Sequence, residues 1–129
     1  MKYMLLMNTY AGGQPITEWS GDDIKAHIGF MNEYNRRLTE AGEYVAGEGL
    51  TFPDQAKVVR ATGGAPAVTD GPFPESKEFL MGYWIVDVET PQRAVELAAE
   101  ASAAPGPGGA PLNMPIEVRQ VGEAPAEEL

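Results

Sequence analysis

Residues 68–78, with the sequence VTDGPFPESKE, contain the densest group of side chains in this chain that could do chemistry. Gly71 and Pro72 exclude a helix or a central strand here, because glycine gives up backbone order and proline fixes φ and lacks an N–H donor. The segment is therefore predicted to turn. It contains three carboxylates and one amine, groups that can transfer protons or bind a charged ligand: Asp70, Glu75, Glu78 and Lys77.

Asp70 has two interpretations that the sequence leaves open. It can cap the turn at Gly71 and Pro72 by accepting backbone N–H bonds. Alternatively, the turn presents its carboxylate to a cavity, where burial would shift its pKa. Phe73, a large apolar ring between two prolines, would either anchor the turn or line that cavity.

His27 is the single histidine of the chain. On a helical wheel it falls between Tyr34 and Leu38, inside the apolar stripe of the first predicted helix, so we expect it to point inward. A histidine on such a face can be a hydrogen-bonded core residue. It can also be a general base that Asp70 orients, and the predicted catalytic residues are therefore His27 and Asp70.

Further residues are predicted to bind a ligand rather than to react with it. Arg60 lies on a predicted strand before the turn and could bind a carboxylate through two hydrogen bonds, or pair instead with Glu75 or Glu78. Lys77 either contacts an anion or belongs to a solvated charge cluster. The predicted ligand-binding set, in which two aromatic rings form apolar walls, is Arg60, Phe73, Glu75, Lys77, Glu78 and Trp84.

Composition and charge argue against several other kinds of function. The 129 residues include 9 Lys and Arg against 19 Asp and Glu, and the net charge of −10 opposes direct binding to nucleic acid or anionic lipid. The absence of cysteine excludes disulfides and thiolate metal sites, and one histidine without ligand spacing predicts no metal. No GxGxxG or Walker loop occurs, so no cofactor is predicted.

The apolar N-terminal residues 1–7 are too short to cross a membrane, and a chain without cysteine suits a reducing compartment. We therefore expect a cytoplasmic protein that does not bind a membrane. The length predicts one domain, residues 1–122. An acidic flexible tail, residues 123–129, follows it.

Apolar periodicity and capping residues predict the elements that position these side chains. A helix begins after Ser20 and ends at Gly42. A second helix begins after Thr90, with Pro91 at its first position. Residues 103–112 are expected to form a mobile loop. Strands are predicted at residues 3–8, 43–47, 56–61, 79–88 and 116–121, the second and third of them paired as a hairpin.

This order predicts an α+β fold of the ferredoxin-like split βαβ kind. The sheet is expected to be antiparallel, with both helices on one face and an inserted hairpin and turn segment. The other face would carry Tyr83 and Ile85, or Trp84 and Val86, which are too apolar to leave exposed. Homodimerisation through that face is therefore predicted.

With these residues in view, the chain resembles the DGPF group of the YCII-related family. The resemblance covers nearly the whole chain in order. It rests on the opening Lys2-Tyr3-Met4-Leu5-Leu6, on Ala41-Gly42-Glu43 with Gly47-Glu48-Gly49-Leu50, on Val59-Arg60, on Thr69-Asp70-Gly71-Pro72-Phe73 with Glu75, Lys77 and Glu78, on Gly82-Tyr83, and on Ile116-Glu117-Val118-Arg119.

The resemblance implies a ferredoxin-like fold that dimerises as an α+β barrel, an enzymatic function without an assigned reaction, and, for the DGPF group, fusion to sigma-factor domains. It also implies a histidine about three turns before the terminal glycine of the first helix. This chain has Met31 there, and His27 lies one turn earlier. Two hypotheses follow: a small-molecule-binding protein or cofactor-free acid/base enzyme, or a non-catalytic sensory module that works with a sigma factor in transcription initiation.

Overall fold

The computed structural model of the chain describes residues 1–10, 16–71 and 78–123. Within them lie six strands, two α-helices and three single-turn 3₁₀ helices. In chain order the main elements are β1 (Lys2–Tyr10), α1 (Gly21–Glu40), β2 (Tyr44–Gly49), β3 (Lys57–Arg60), β4 (Ala67–Asp70), β5 (Glu78–Asp87), α2 (Pro91–Ser102) and β6 (Ile116–Gln120). The 3₁₀ helices are Ile16–Glu18, Pro53–Gln55 and Pro107–Gly109.

Four of the strands form one antiparallel sheet with the order β2-β5-β1-β6. This order interleaves the units β1-α1-β2 and β5-α2-β6, which is the split βαβ arrangement. The core contains residues of both helices together with one face of the sheet, so both helices pack on the same face. The predicted α+β ferredoxin-like fold is confirmed.

The helices begin where their capping residues predict. Ser20 Oγ accepts a hydrogen bond of 3.1 Å from the backbone N–H of Asp23 at the start of α1, which satisfies a donor that has no partner within the helix. Thr90 caps α2 in the same way, and Pro91 follows it. Gly42, with φ of 72°, turns the chain after α1 into β2.

The core lies between the helices and the sheet face that carries Leu5, Trp84 and Val86. The Tyr34 hydroxyl of α1 donates to the Leu97 carbonyl of α2 at 2.7 Å. The Trp84 indole Nε1–H donates to Asn35 Oδ1 at 2.8 Å. These two bonds join both helices and the sheet while they satisfy polar atoms inside the core.

The predicted pairing of residues 43–47 with residues 56–61 is wrong. The structure pairs β2 with β5, and it pairs β3 with β4 in a separate two-stranded hairpin. The backbone N–H of Leu50 donates to the Met81 carbonyl at 2.8 Å, so the β2–β5 ladder continues beyond Gly49. Residues 67–70, which were expected to belong to a turn segment, form strand β4, because the chain reverses between Arg60 and Ala67 and pairs them with β3.

The connection between α2 and β6 is a loop, as predicted, but it is held by hydrogen bonds. The backbone N–H of Leu112 donates to the Ala104 carbonyl at 2.9 Å, and Pro105 faces Pro111 in a short bridge. Ser102 Oγ donates to the Met114 carbonyl at 2.6 Å. These contacts do not favour the mobile loop that the Gly- and Pro-rich sequence predicts.

The second face of the sheet is not covered by either helix. Its centre is apolar and partly exposed, because cross-strand pairing places Met4 beside Ile85 and Leu6 beside Tyr83 on that face. Glu117 and Arg119 of β6 lie beside Leu6 and Met4. We call the four apolar residues, Met4, Leu6, Tyr83 and Ile85, the open face. Among the described residues, no helix has the length and apolar character needed to cross a bilayer.

Replacing Tyr34 by phenylalanine tests the bond between the helices. Because the buried Leu97 carbonyl would lose the hydrogen bond from the Tyr34 hydroxyl, we expect the free energy of unfolding to fall by about 1–2 kcal/mol. Urea denaturation measures this change. Tyr83→Phe, on the open face, is the matched control and should have a smaller effect.

Burial raises the pKa of the Tyr34 phenol, and this shift predicts a pH dependence. The unfolded chain loses the phenolic proton near pH 10 whereas the folded chain keeps it, so wild-type stability should fall as the pH rises above about 10. The stability of the Tyr34→Phe variant should fall less than that of the wild type over the same pH range. An unchanged slope in denaturation curves between pH 9 and pH 11, both rough limits set by the phenol pKa, would contradict this assignment.

Candidate functional site

Two of the described predicted site residues, Asp70 and Glu78, lie near one end of the sheet. Tyr10 at the end of β1 pairs with Glu78 at the start of β5, and β2 also ends on this side of β5. The β3–β4 hairpin leaves from the same end. The antiparallel topology therefore brings Gly71 and Glu78 to the end of the sheet at which α1 begins.

An open groove of about 370 Å³ lies at this end. The groove forms where the chain continues from β2 through Leu50, turns at Pro53–Gln55 and then enters the hairpin. The backbone N–H of Gly71 donates to the Ala56 carbonyl at 2.6 Å and closes the base of the hairpin beside the groove. The lining residues are mostly apolar: Leu50, Thr51, Phe52, Pro53, Ala56, Glu78, Phe79 and Leu80.

Three large apolar side chains of this groove are unusually open to solvent. The exposed fractions of Leu50, Phe52 and Leu80 are 43%, 38% and 37%. Isolated exposed apolar residues are common on protein surfaces, but a group of them in one concave site is typical of a binding surface. Of the described residues that line the groove, Glu78 is the only charged one.

Asp70 has a structural partner that the sequence did not predict. It lies opposite Lys57 in the hairpin register, and the Lys57 ammonium donates to its carboxylate across the two strands. The Asp70 side chain is 83% exposed. The observed geometry is thus a solvated cross-strand ion pair at the base of the hairpin, a kind of contact that contributes little to stability.

His27 is partly buried on the inner side of α1 and holds the loop after α2. Its Nδ1 lies 3.0 Å from the Pro105 carbonyl oxygen. Because a carbonyl can only accept, Nδ1 carries the proton in this hydrogen bond. The Trp19 ring packs edge-on against the imidazole, with 5.4 Å between ring centroids. This geometry corresponds to the hydrogen-bonded structural interpretation of His27.

A second contact from α1 reaches the same loop. Asp23 Oδ2 accepts a hydrogen bond of 3.1 Å from the backbone N–H of Gly108, a residue with φ of 69°. Gly108 can adopt this left-handed conformation because it has no Cβ. His27 and Asp23 together fasten the loop to the first two turns of α1.

The remaining predicted ligand residues have separate positions. Arg60 ends β3 on the hairpin, is exposed, and does not line the groove. Trp84 is 5% exposed and belongs to the core, where it contacts Tyr34 and Asn35. Phe73, Glu75 and Lys77 lie outside the described residues. The structure therefore brings Glu78 into the groove, while His27 and Asp70 each bond to other partners.

Sequence reasoning missed the apolar walls of the groove. Leu50 and Phe52 stand in what was read as a plain connection, and Phe79 and Leu80 were read only as strand residues. The available signal was two large apolar residues in the eight-residue connection, residues 48–55, that also contains Pro53. Large apolar side chains in a short loop usually pack against the protein or form part of a binding surface.

A larger, more polar groove of about 600 Å³ lies at the opposite end of the sheet. There Arg93 of α2 forms two hydrogen bonds to the Glu43 carboxylate, at 2.9 and 3.0 Å, and a third to Glu96. The bond to Glu43 raises the pKa of Arg93. Because this guanidinium is already paired with acids of its own chain, it contributes little to the binding of an anionic ligand in this groove.

The described residues contain no cluster of three or more histidine, aspartate or glutamate side chains that could hold a metal ion. As far as the structure describes it, the candidate site consists mainly of apolar walls with one carboxylate, Glu78.

The sheet order and the placement of both helices define an α+β protein of the ferredoxin-like class. Residues 1–108 match the YCII-related domain, and the chain belongs to the YCII-related family. An uncharacterized protein of Rhizobium meliloti (strain 1021) is 28% identical over 108 residues, which cover 84% of this chain and 87% of that protein. The family predicted from the sequence is confirmed, and the DGPF group within it stays a prediction.

Replacing His27 by alanine tests its structural role. Loss of the bond to Pro105 should lower the free energy of unfolding by about 1 kcal/mol. It should also speed hydrogen exchange at the amides of Gly106 and Gly108, which depend on the fastened loop. Lys25→Ala, at an exposed position of the same helix, is the control and should leave both amides unchanged. Unaltered exchange in the His27 variant would show that Asp23 suffices to hold the loop.

Proposed function

We propose that this YCII-related protein binds a small, mainly apolar organic molecule in the groove between residues 50–56 and the start of β5. The observation that carries the proposal is the groove itself: large exposed apolar side chains converge on one concavity, and Glu78 is the single charged residue among its described lining residues. Sites for small molecules commonly combine apolar walls with a few polar groups that orient the ligand.

The position of the groove supports this proposal. Its walls come from the chain on both sides of the hairpin, and residues 70–78, the segment richest in ionisable groups, begin beside Ala56 and end at Glu78. The predicted importance of that segment thus has a physical basis, since it connects the hairpin to a wall of the site.

A cofactor-free acid/base reaction is the further part of the sequence prediction. For His27 and Asp70 to act as a pair, the Asp70 carboxylate would have to exchange Lys57 for the imidazole, whose Nδ1–H now donates to Pro105. Glu78 is the described carboxylate that a ligand in the groove would meet directly. The proposal is therefore one of ligand binding, with Glu78 as the candidate proton-transfer group for any reaction there.

Leu80→Arg should abolish ligand binding, because a guanidinium would fill the groove and oppose apolar ligands. The test is a thermal-shift screen of small aromatic and aliphatic compounds against the wild type and this variant. A ligand at about 100 times its Kd stabilises the folded state by about 2.7 kcal/mol. Val95→Arg, at a 50% exposed position of α2, is the matched control and should keep the wild-type response.

Asp70→Ala separates the groove from the ion pair. Because Asp70 is exposed and does not line the groove, we expect this variant to bind the same compounds as the wild type. If Asp70→Ala abolishes binding while Leu80→Arg does not, the site lies at the turn segment instead of the groove.

We further propose that the protein forms a homodimer through the open face. Met4, Leu6, Tyr83 and Ile85 form a contiguous apolar centre. Charged residues of the flanking strand, Glu117 and Arg119, border it, and an apolar centre with a polar rim is the usual anatomy of an interface. A cytoplasmic location, which the cysteine-free sequence favours, and a sigma-factor partner stay predictions that no contact in the described residues supports further.

Ile85→Arg should dissociate this dimer, because two copies would bury unpaired guanidinium groups at the centre of a twofold interface. Sedimentation equilibrium measures the change in mass, and Val95→Arg again serves as the control. A wild type that is monomeric at micromolar concentration, or an Ile85→Arg variant that dimerises as the wild type does, would overturn the proposed interface.

A further inference from the structure

We propose that the groove selects an organic cation, such as an amine attached to an aromatic or aliphatic body, over neutral and anionic molecules of the same shape. This inference rests on the proposed function of the groove and adds the chemical class of its ligand. Two observations carry it: the kind of charge that lines the groove and the aromatic rings that stand beside that charge.

The first observation is the placement of Glu78. It begins β5, and its immediate neighbours on that strand, Phe79 and Leu80, also line the groove. Among the lining residues that the structure describes, a ligand lying against these walls would meet this carboxylate and no cation. A carboxylate beside an apolar surface attracts a positive group more strongly than one in open water, because the surface excludes part of the screening solvent.

The second observation is a pair of aromatic rings among the lining residues, Phe52 and Phe79. The face of an aromatic ring carries negative charge and attracts ammonium groups. Phe52 is 38% exposed, so part of its ring is available to a ligand. Aromatic rings and a carboxylate together recognise an amine, whereas neither favours a carboxylate ligand.

The cations near the site do not reverse this preference. Lys57 is paired with Asp70, and Arg60 stands on the hairpin outside the groove. Residues 48–80, from which every lining residue comes, contain five carboxylates and three cations, with Lys77 included in the count. The segment is therefore net negative. This charge opposes the anionic ligand that Arg60 and Lys77 suggested from sequence alone.

The experiment compares three probes that share a phenyl ring and differ in charge: 2-phenylethylamine, 2-phenylethanol and phenylacetate. Each is titrated into the full chain while backbone and methyl NMR signals of Leu50, Ala56 and Leu80 report on the groove. We expect the amine to bind about tenfold more tightly than phenylacetate, with the alcohol between them. Added salt should weaken the amine and leave the alcohol unchanged.

Glu78→Gln supplies the decisive comparison, because it keeps the shape of an exposed side chain and removes only its charge. In this variant the preference for the amine over phenylacetate should fall well below the wild-type value, and the part that remains comes from the aromatic rings. Phe52→Leu should weaken the amine more than the alcohol, since it removes the aromatic face and keeps an apolar wall. Glu96→Gln, on α2 outside the groove, is the control and should preserve the wild-type order.

Each result has a defined meaning. Equal binding of the three probes to the wild type, or an amine preference in Glu78→Gln as large as that of the wild type, would overturn the charge selection and leave apolar binding in place. Tighter binding of phenylacetate would overturn it as well. If none of the probes shifts the groove signals at millimolar concentration, or if Leu80→Arg binds them as the wild type does, the proposed function of the groove fails too.

Discussion

The antiparallel pairing of β1 with β5 is the constraint on which the rest of the structure depends. It runs from Lys2 opposite Asp87 to Tyr10 opposite Glu78, with a shift in register between Met7 and Asn8. Because side chains alternate along a strand, this single register decides which residues meet the helices and which form the open face. A slip of one residue would exchange Trp84 for Tyr83 in the core.

The same register explains why two glycines stand on the neighbouring strands. A Cβ on Gly47 would lie 2.9 Å from Trp84 Cδ1, and one on Gly82 would lie 3.0 Å from the Glu48 carbonyl. The first contact is shorter than real Cβ atoms show and the second is tighter than most, so the large indole and the close β2–β5 approach both favour glycine. The core of this protein therefore depends on small residues as much as on large ones.

Local signals in the sequence were sufficient for the helices and for the fold class. Ser20 and Thr90 cap helices through contacts within three residues, which a sequence contains directly. The partner of β2 was not predictable in this way, since residues 43–47 have no feature that distinguishes β3 from the distant β5. The groove was even harder to predict from the sequence, because Phe52 and Phe79 converge only after β2, the hairpin and β5 are assembled.

The contrast between His27 and Glu78 shows why a reactive residue type is a weak guide to a site. His27, the single histidine, was predicted to be catalytic, yet its Nδ1 is hydrogen-bonded to the backbone carbonyl of Pro105. Glu78 was one of several acids in a charged turn, and the geometry of β5 places it among apolar walls. A group can act on a ligand only if its polar atoms are not already occupied and if a ligand can approach them. Asp70 and Gly71 therefore matter first for the path of the chain. They end β4 beside Ala56, the chain then returns to the sheet at Glu78, and the groove lies between Ala56 and Glu78.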